Sequence, residues 1–122
     1  MGKYVDGYVI PIKFENVEAY QKMAEKGGEI WMEHGALAYV ECIGDDLNVE
    51  EVVSFNQSAG TLDGETVIFS WIEFESKEHR DQVNAAVMAD PRMNDIIEQD
   101  DLMPFDVSRM IIGGFKTIVN LR

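Results

Sequence analysis

The first apolar segment is YVDGYVIPI, Tyr4 to Ile12. It is β-branched and aromatic and closes near Pro11, which predicts a strand. From about Glu15 the spacing changes. Tyr20, Ala24, Gly27, Trp31 and His34 recur at steps of four, three, four and three, which is one face of a helix. Gly27-Gly28 inside that face weakens the helix and leaves room for a neighbour to pack close. Gly35 suits the position that stops it. ALAYVECI then reads as a strand with a period of two. Leu37, Tyr39, Glu41 and Ile43 share one face, and Ala38, Val40 and Cys42 share the other.

Gly44 to Glu65 is a long connection, acidic at GDDLNVEE, apolar at VVSF and closed by the turn signal Asp63-Gly64. A connection of this length is functional or carries its own small structure. TVIFSWIEF, Thr66 to Phe74, is a strand apolar on both faces. Ser76 caps a second helix, KEHRDQVNAAVMA. Asp90-Pro91 ends it and starts a short helix, with Asp90 as N-cap and Pro91 in the first position. EQDDLMPFD is loop, and SRMIIGGFKTIVNL, Ser108 to Leu121, is a last strand apolar on both faces. Gly113-Gly114 within it marks a bulge or a close backbone approach.

Strand, helix, strand, strand, helix, strand is the ferredoxin-like βαββαβ plan, an α+β fold with one four-stranded antiparallel sheet and two helices on one face. Two strands are apolar on both faces, yet the helices cover only one. The other face needs cover, and a second copy of the chain supplies it most economically. The expectation is a homodimer of the dimeric α/β-barrel type, with residues 1–122 forming a single domain.

Composition narrows the classes. A net charge of −13 opposes nucleic acid and anionic membrane as partners, since both reward clustered Lys and Arg. One cysteine makes no internal disulfide, and no Cys/His cluster has metal-ligand spacing. No apolar run reaches transmembrane length and the N-terminus does not read as a signal peptide, so a cytoplasmic protein is expected. Phosphate loops, dinucleotide fingerprints and nucleophile elbows are absent, and no cofactor is expected.

The motifs YVDGYVIPI, EHGALAYVEC, VIFSWIEFESKEHRD, VMADPRM and MPFD followed by RMIIGGF resemble the YbaA-like family of small uncharacterised bacterial proteins, over nearly the whole chain and in the same order. The resemblance implies a dimeric α/β-barrel fold and carries no established activity. The chain departs from the family pattern at Val107, where a Gly often follows MPFD, and at Ile112, where a Tyr often precedes the glycine pair.

In this architecture a small-molecule site belongs between the sheet and its own helices. His34, after Trp31 on the apolar helix face, is a candidate general base; the plainer reading is a histidine stabilising the helix end. Arg109 is a candidate anion stabiliser, or else a structural partner of Asp106 that fixes the MPFD loop. Glu41, on the strand face of Tyr39, either reaches the cavity as a base or lies at the sheet edge. Trp31, Tyr39, Trp71 and Asp106 are candidate ligand contacts, although Trp71 suits core or dimer interface and Asp90 a helix cap. His79 reads as solvated and Cys42 as an inert buried thiol. Three functions follow as expectations: a binding protein for a small apolar or aromatic molecule, a cofactor-independent monooxygenase- or isomerase-like enzyme using His34, Glu41 and Arg109, or an interaction module using the long connection.

Overall fold

The structure, a computed structural model, describes residues 3–99 and 103–122; part of the expected loop after the short helix therefore lies outside the described residues. The strands are β1 (Tyr4–Lys13), β2 (Ala38–Ile43), β3 (Glu65–Phe74) and β4 (Ile111–Lys116). The helices are α1 (Val17–Glu33), α2 (Phe55–Ala59), α3 (Lys77–Ala89) and α4 (Pro91–Gln99). The strands form one sheet in the order β2-β3-β1-β4, with every neighbouring pair antiparallel. This is the ferredoxin-like arrangement.

The register sorts side chains by face. Tyr4, Asp6, Tyr8, Ile10 and Ile12 of β1 lie opposite Phe74, Ile72, Ser70, Ile68 and Thr66 of β3, on the face that carries the helices. Two buried clusters occupy that side. One gathers Ile30, Ile72, Phe74, Val83 and Val87; the other gathers Ile10, Ile12, Tyr20, Ala24 and Ile68. Phe74 and Val87 are fully buried, and each such side chain contributes about 2–3 kcal/mol of transfer free energy.

Local chemistry explains the helix boundaries. Ser76 accepts from the His79 N–H and starts α3. Asp90 accepts from the Arg92 N–H at 2.9 Å and starts α4 at Pro91. Gly35, just past α1, has φ +113°, a conformation L side chains rarely adopt. Gly28 lets the Tyr39 ring lie against α1: a Cβ there would sit 2.6 Å from that ring.

Four expectations change. The last strand ends at Lys116, because Lys116 pairs with Tyr4 at the start of β1 and the chain beyond Thr117 has no strand to bond. Of the two readings of Gly113-Gly114, the bulge is excluded by an unbroken register, and the close approach is made by the Tyr4 side chain at Gly114. Cys42 is exposed, since edge strand β2 turns it to the face opposite α1, α3 and α4. His79 is half-buried, with its ring against Phe74 and its Nδ1 accepting from the Glu75 N–H at 3.0 Å. The long connection carries α2, capped by Ser54 and closed by Gly60 at φ +67°.

The face opposite α1, α3 and α4 keeps an apolar surface, of which α2 covers a part. Phe69 is 45% exposed, Ile111 46% and Phe115 60%. Phe55 of α2 packs edge-on against Phe69 at 5.8 Å, and Phe69 lies 5.7 Å from Trp71. Among the described residues, no helix is long and apolar enough to cross a membrane.

Candidate functional site

A cavity of about 500 Å³ lies between the sheet and helices α1 and α4, where the two buried clusters meet. Ile10, Tyr20 and Ala24 come to it from one cluster, Ile72 and Met93 from the other. Phe105 and Met110, after α4, also line it. The lining is largely apolar, and Glu41 is the one charged side chain among the described lining residues.

Glu41 reaches the helix side because β2 alternates. It lies directly across from Ser70 of β3. The Tyr20 hydroxyl, brought over by the buried face of α1, donates to Oε1 at 2.9 Å and to Oε2 at 2.5 Å. Burial raises the Glu41 pKa, while hydrogen bonds from Tyr20 and Ser70 act in the opposite direction without cancelling it. No cation lies among these partners. Burial likewise pushes the Tyr8 hydroxyl up to about 12 and raises Tyr20 and Tyr39, so all three remain neutral hydrogen-bonding groups at neutral pH.

Tyr39 and Trp31 line the cavity with rings 6.0 Å apart. The Trp31 Nε1–H donates to Asn84 Oδ1 at 3.0 Å, which leaves the ring as its contribution to the wall. Asn84 in turn donates to buried Asp6, whose Oδ1 accepts from Arg80 at 2.7 Å. That network anchors α3 to β1 and thereby holds Trp31 in place.

A second concavity, of about 790 Å³, opens between α1 and edge strand β2. Tyr20, Tyr39 and Glu41 line both spaces. Glu41 therefore stands between an outer cleft and an inner cavity.

The other expected site residues lie elsewhere. His34 caps α1, and its Nε2 is 2.8 Å from Asp90 Oδ2. Arg92 and His34 hold the Asp90 carboxyl well below the usual carboxylate range. Arg109 donates to both carboxylate oxygens of Glu65, at 2.7 and 2.8 Å, and to the Gly60 carbonyl. It holds Glu65 at about 2 and ties the residues before β4 to the start of β3. Asp106, the partner expected for Arg109, instead accepts from the Ser108 N–H and hydroxyl. Trp71 borders the cavity, but its ring packs with Phe69 on the opposite face of the sheet. His34, Arg109 and Glu41 thus do not converge; only Glu41 lines the cavity.

Sequence reasoning passed over Tyr20, Tyr8 and Ser70 as site residues. Ser70 carries a usable signal: it is a small polar residue set between Ile68 and Ile72 on a buried strand face. Tyr20 stands on the helical face already identified, but its partner is 21 residues away and no local spacing reveals it.

Comparison with known proteins places this geometry. The family described as "Protein of unknown function (DUF1428)" matches residues 3–107. The uncharacterized protein YbaA of Escherichia coli K12 is 43% identical over 118 residues, covering 97% of this chain and 98% of that protein. YbaA of Shigella flexneri matches to the same extent, 43% over 118 residues. Among solved structures, a NIPSNAP family protein with unknown function from Agrobacterium tumefaciens superposes with a TM-score of 0.62 at 19% identity, over 95% of this chain and 88% of that one. An Arabidopsis thaliana protein superposes with a TM-score of 0.55 at 21% identity, over 99% of this chain and 100% of the other. At such identities the structural likeness speaks for the fold alone. The match through residues 3–107 and the identity to YbaA across nearly the full length establish that the chain belongs to the YbaA-like DUF1428 family of uncharacterised proteins.

Proposed function

We propose that this protein is a small-molecule-binding homodimer whose ligand occupies the cavity beneath α1 and α4. One observation carries the reading: a cavity of about 500 Å³ with an apolar and aromatic lining and a polar group at Glu41, Tyr20 and Ser70. Its size falls in the range of small-molecule sites, and a few polar groups in an apolar wall are what orients a ligand. A thermal-shift screen of small aromatic metabolites should find compounds that raise the melting temperature. A screen without one such compound would remove the proposal.

The homodimer rests on the opposite face. Val40, Phe69, Trp71, Ile111 and Phe115 project there by alternation, and short α2, through Phe55 on Phe69, leaves much of this surface exposed. A second copy presents the same surface and buries both at once. Light scattering at micromolar concentration should give twice the chain mass, and Phe69→Glu should give the single-chain mass. A monomeric native chain would sink the dimer and leave the cavity untouched.

A cofactor-independent enzyme is the second reading. It draws on Glu41, because a carboxyl with a raised pKa in an apolar cavity is suited to take up a proton. If a turnover is found, Glu41→Gln should abolish it; unchanged turnover in that variant would dismiss Glu41 as a base.

A further inference from the structure

We propose that the cavity selects an organic amine, seating an apolar or aromatic body among the rings and the protonated amine on Glu41. The inference deepens the cavity-binding reading and rests on it. The sign of charge comes first. Neither the cavity nor the adjoining cleft has a Lys, Arg or His among its described lining residues. Arg80 is engaged with Asp6, Arg92 with Asp90 and Glu33, and Arg109 with Glu65, while Lys22 and Lys26 of α1 are exposed and line neither space. A carboxylate or phosphate ligand would meet Glu41 with no counter-charge and would pay a desolvation cost without return.

The second point is valence. An ionised carboxylate offers about four lone-pair sites. Tyr20 and Ser70 are its hydrogen-bonding partners, and both are uncharged. Acceptor capacity remains on Glu41, and its charge is unpaired. An ammonium brings three N–H donors and the missing positive charge together. Burial disfavours the ionised form of Glu41, so pairing with a cation stabilises it more there than at the surface.

The third point is the wall. Tyr8, Tyr20, Tyr39, Trp31 and Phe105 all line the cavity and offer π faces. The negative potential over an aromatic face attracts a cation placed against it. The outer cleft leads to the same carboxylate, and its other charged lining residues, Glu25, Glu29 and Glu33, are all acidic. An amine approaches through a favourable potential; an organic anion does not.

Isothermal titration of the full chain with three probes of matched body tests this: 2-phenylethylamine, 2-phenylethanol and 3-phenylpropanoate. The amine should bind about tenfold or more tightly than the alcohol, and the carboxylate should bind most weakly. Glu41→Gln should cost the amine about tenfold and cost the alcohol clearly less. The comparison on the unaltered chain does not depend on how that variant folds. If the alcohol matches the amine, or the carboxylate binds best, the amine inference is overturned and the cavity-binding reading survives. If no probe binds, both are overturned.

Discussion

Glu41 and Glu65 are two carboxylates on adjacent elements of one sheet, and their surroundings drive them in opposite directions. Glu65 opens β3 and is gripped by the Arg109 guanidinium through two hydrogen bonds, which holds it at about 2. Glu41 lies in β2, faces an apolar cavity, and is met by hydroxyls alone; burial raises it. A carboxylate with a dedicated arginine is finished structure. A carboxylate held only by neutral donors, beside open volume, still has a charge to share. The same contrast separates His34 from Glu41, because the imidazole is already committed to Asp90 at 2.8 Å.

The largest effect should come from breaking the Glu65 clamp. Arg109→Ala leaves a carboxylate whose side chain is 6% exposed without its counter-charge. The melting temperature at pH 7 should fall on the order of 5 °C or more. The sign of the acid response follows from the depressed folded value. Glu65 contributes stability above its ordinary 4.5, and the contribution is lost as pH falls toward about 2. Melts at pH 7 and pH 3 should therefore differ less in Arg109→Ala than in the parent chain. An unchanged melting temperature at pH 7 would erase the distinction drawn between the two carboxylates.

A smaller effect should follow at the cavity wall. Gly28→Ala drives a Cβ to 2.6 Å from the Tyr39 ring, which is already packed beside Trp31. Overpacking of this kind costs about 1–3 kcal/mol, partly offset by the roughly 1 kcal/mol that Ala gains over Gly within a helix. Urea unfolding should show a net loss of about 1 kcal/mol, and a stabilised variant would mean that Tyr39 yields freely and the wall is soft.

The smallest effect should be a gain. The folded pKa of Glu41 is raised, so its stabilising contribution is present below its ordinary 4.5 and is lost as pH rises through the folded value. Glu41→Gln keeps an acceptor for Tyr20 and removes the unpaired charge. The variant should melt higher than the parent chain at pH 7, with the gain vanishing below pH 4.5. A loss at neutral pH would show that Tyr20 and Ser70 already satisfy the carboxylate.

Much of the fold was legible along the chain because its signals are local. Ser76, Asp90 and Pro91 place the starts of α3 and α4 through hydrogen bonds that span two or three residues. The alternation in ALAYVECI assigns Glu41 and Cys42 to opposite faces, and the register bears this out. The last strand was overextended because an apolar run has no mark for the point where its neighbour ends. Arg109 was matched to Asp106 by nearness in sequence, whereas its partner Glu65 is 44 residues away. His34 lies just past α1 as its C-cap, and its partner Asp90 is 56 residues away, which no spacing supplies.

The order of the strands and long helices, the alternation of side chains along the strands, the helical spacing of α1 and the net charge of −13 can all be read along the chain. These depend on backbone periodicity and on summed charge, both of which are readable without a fold. Only the tertiary structure decided that Glu41 faces open volume with Tyr20 above it and Ser70 across from it, while Arg109 and His34 are spent elsewhere. The physical reason is that a side chain's chemistry is set by its neighbours within a few ångströms. In an antiparallel sheet covered by helices, those neighbours come from distant parts of the chain.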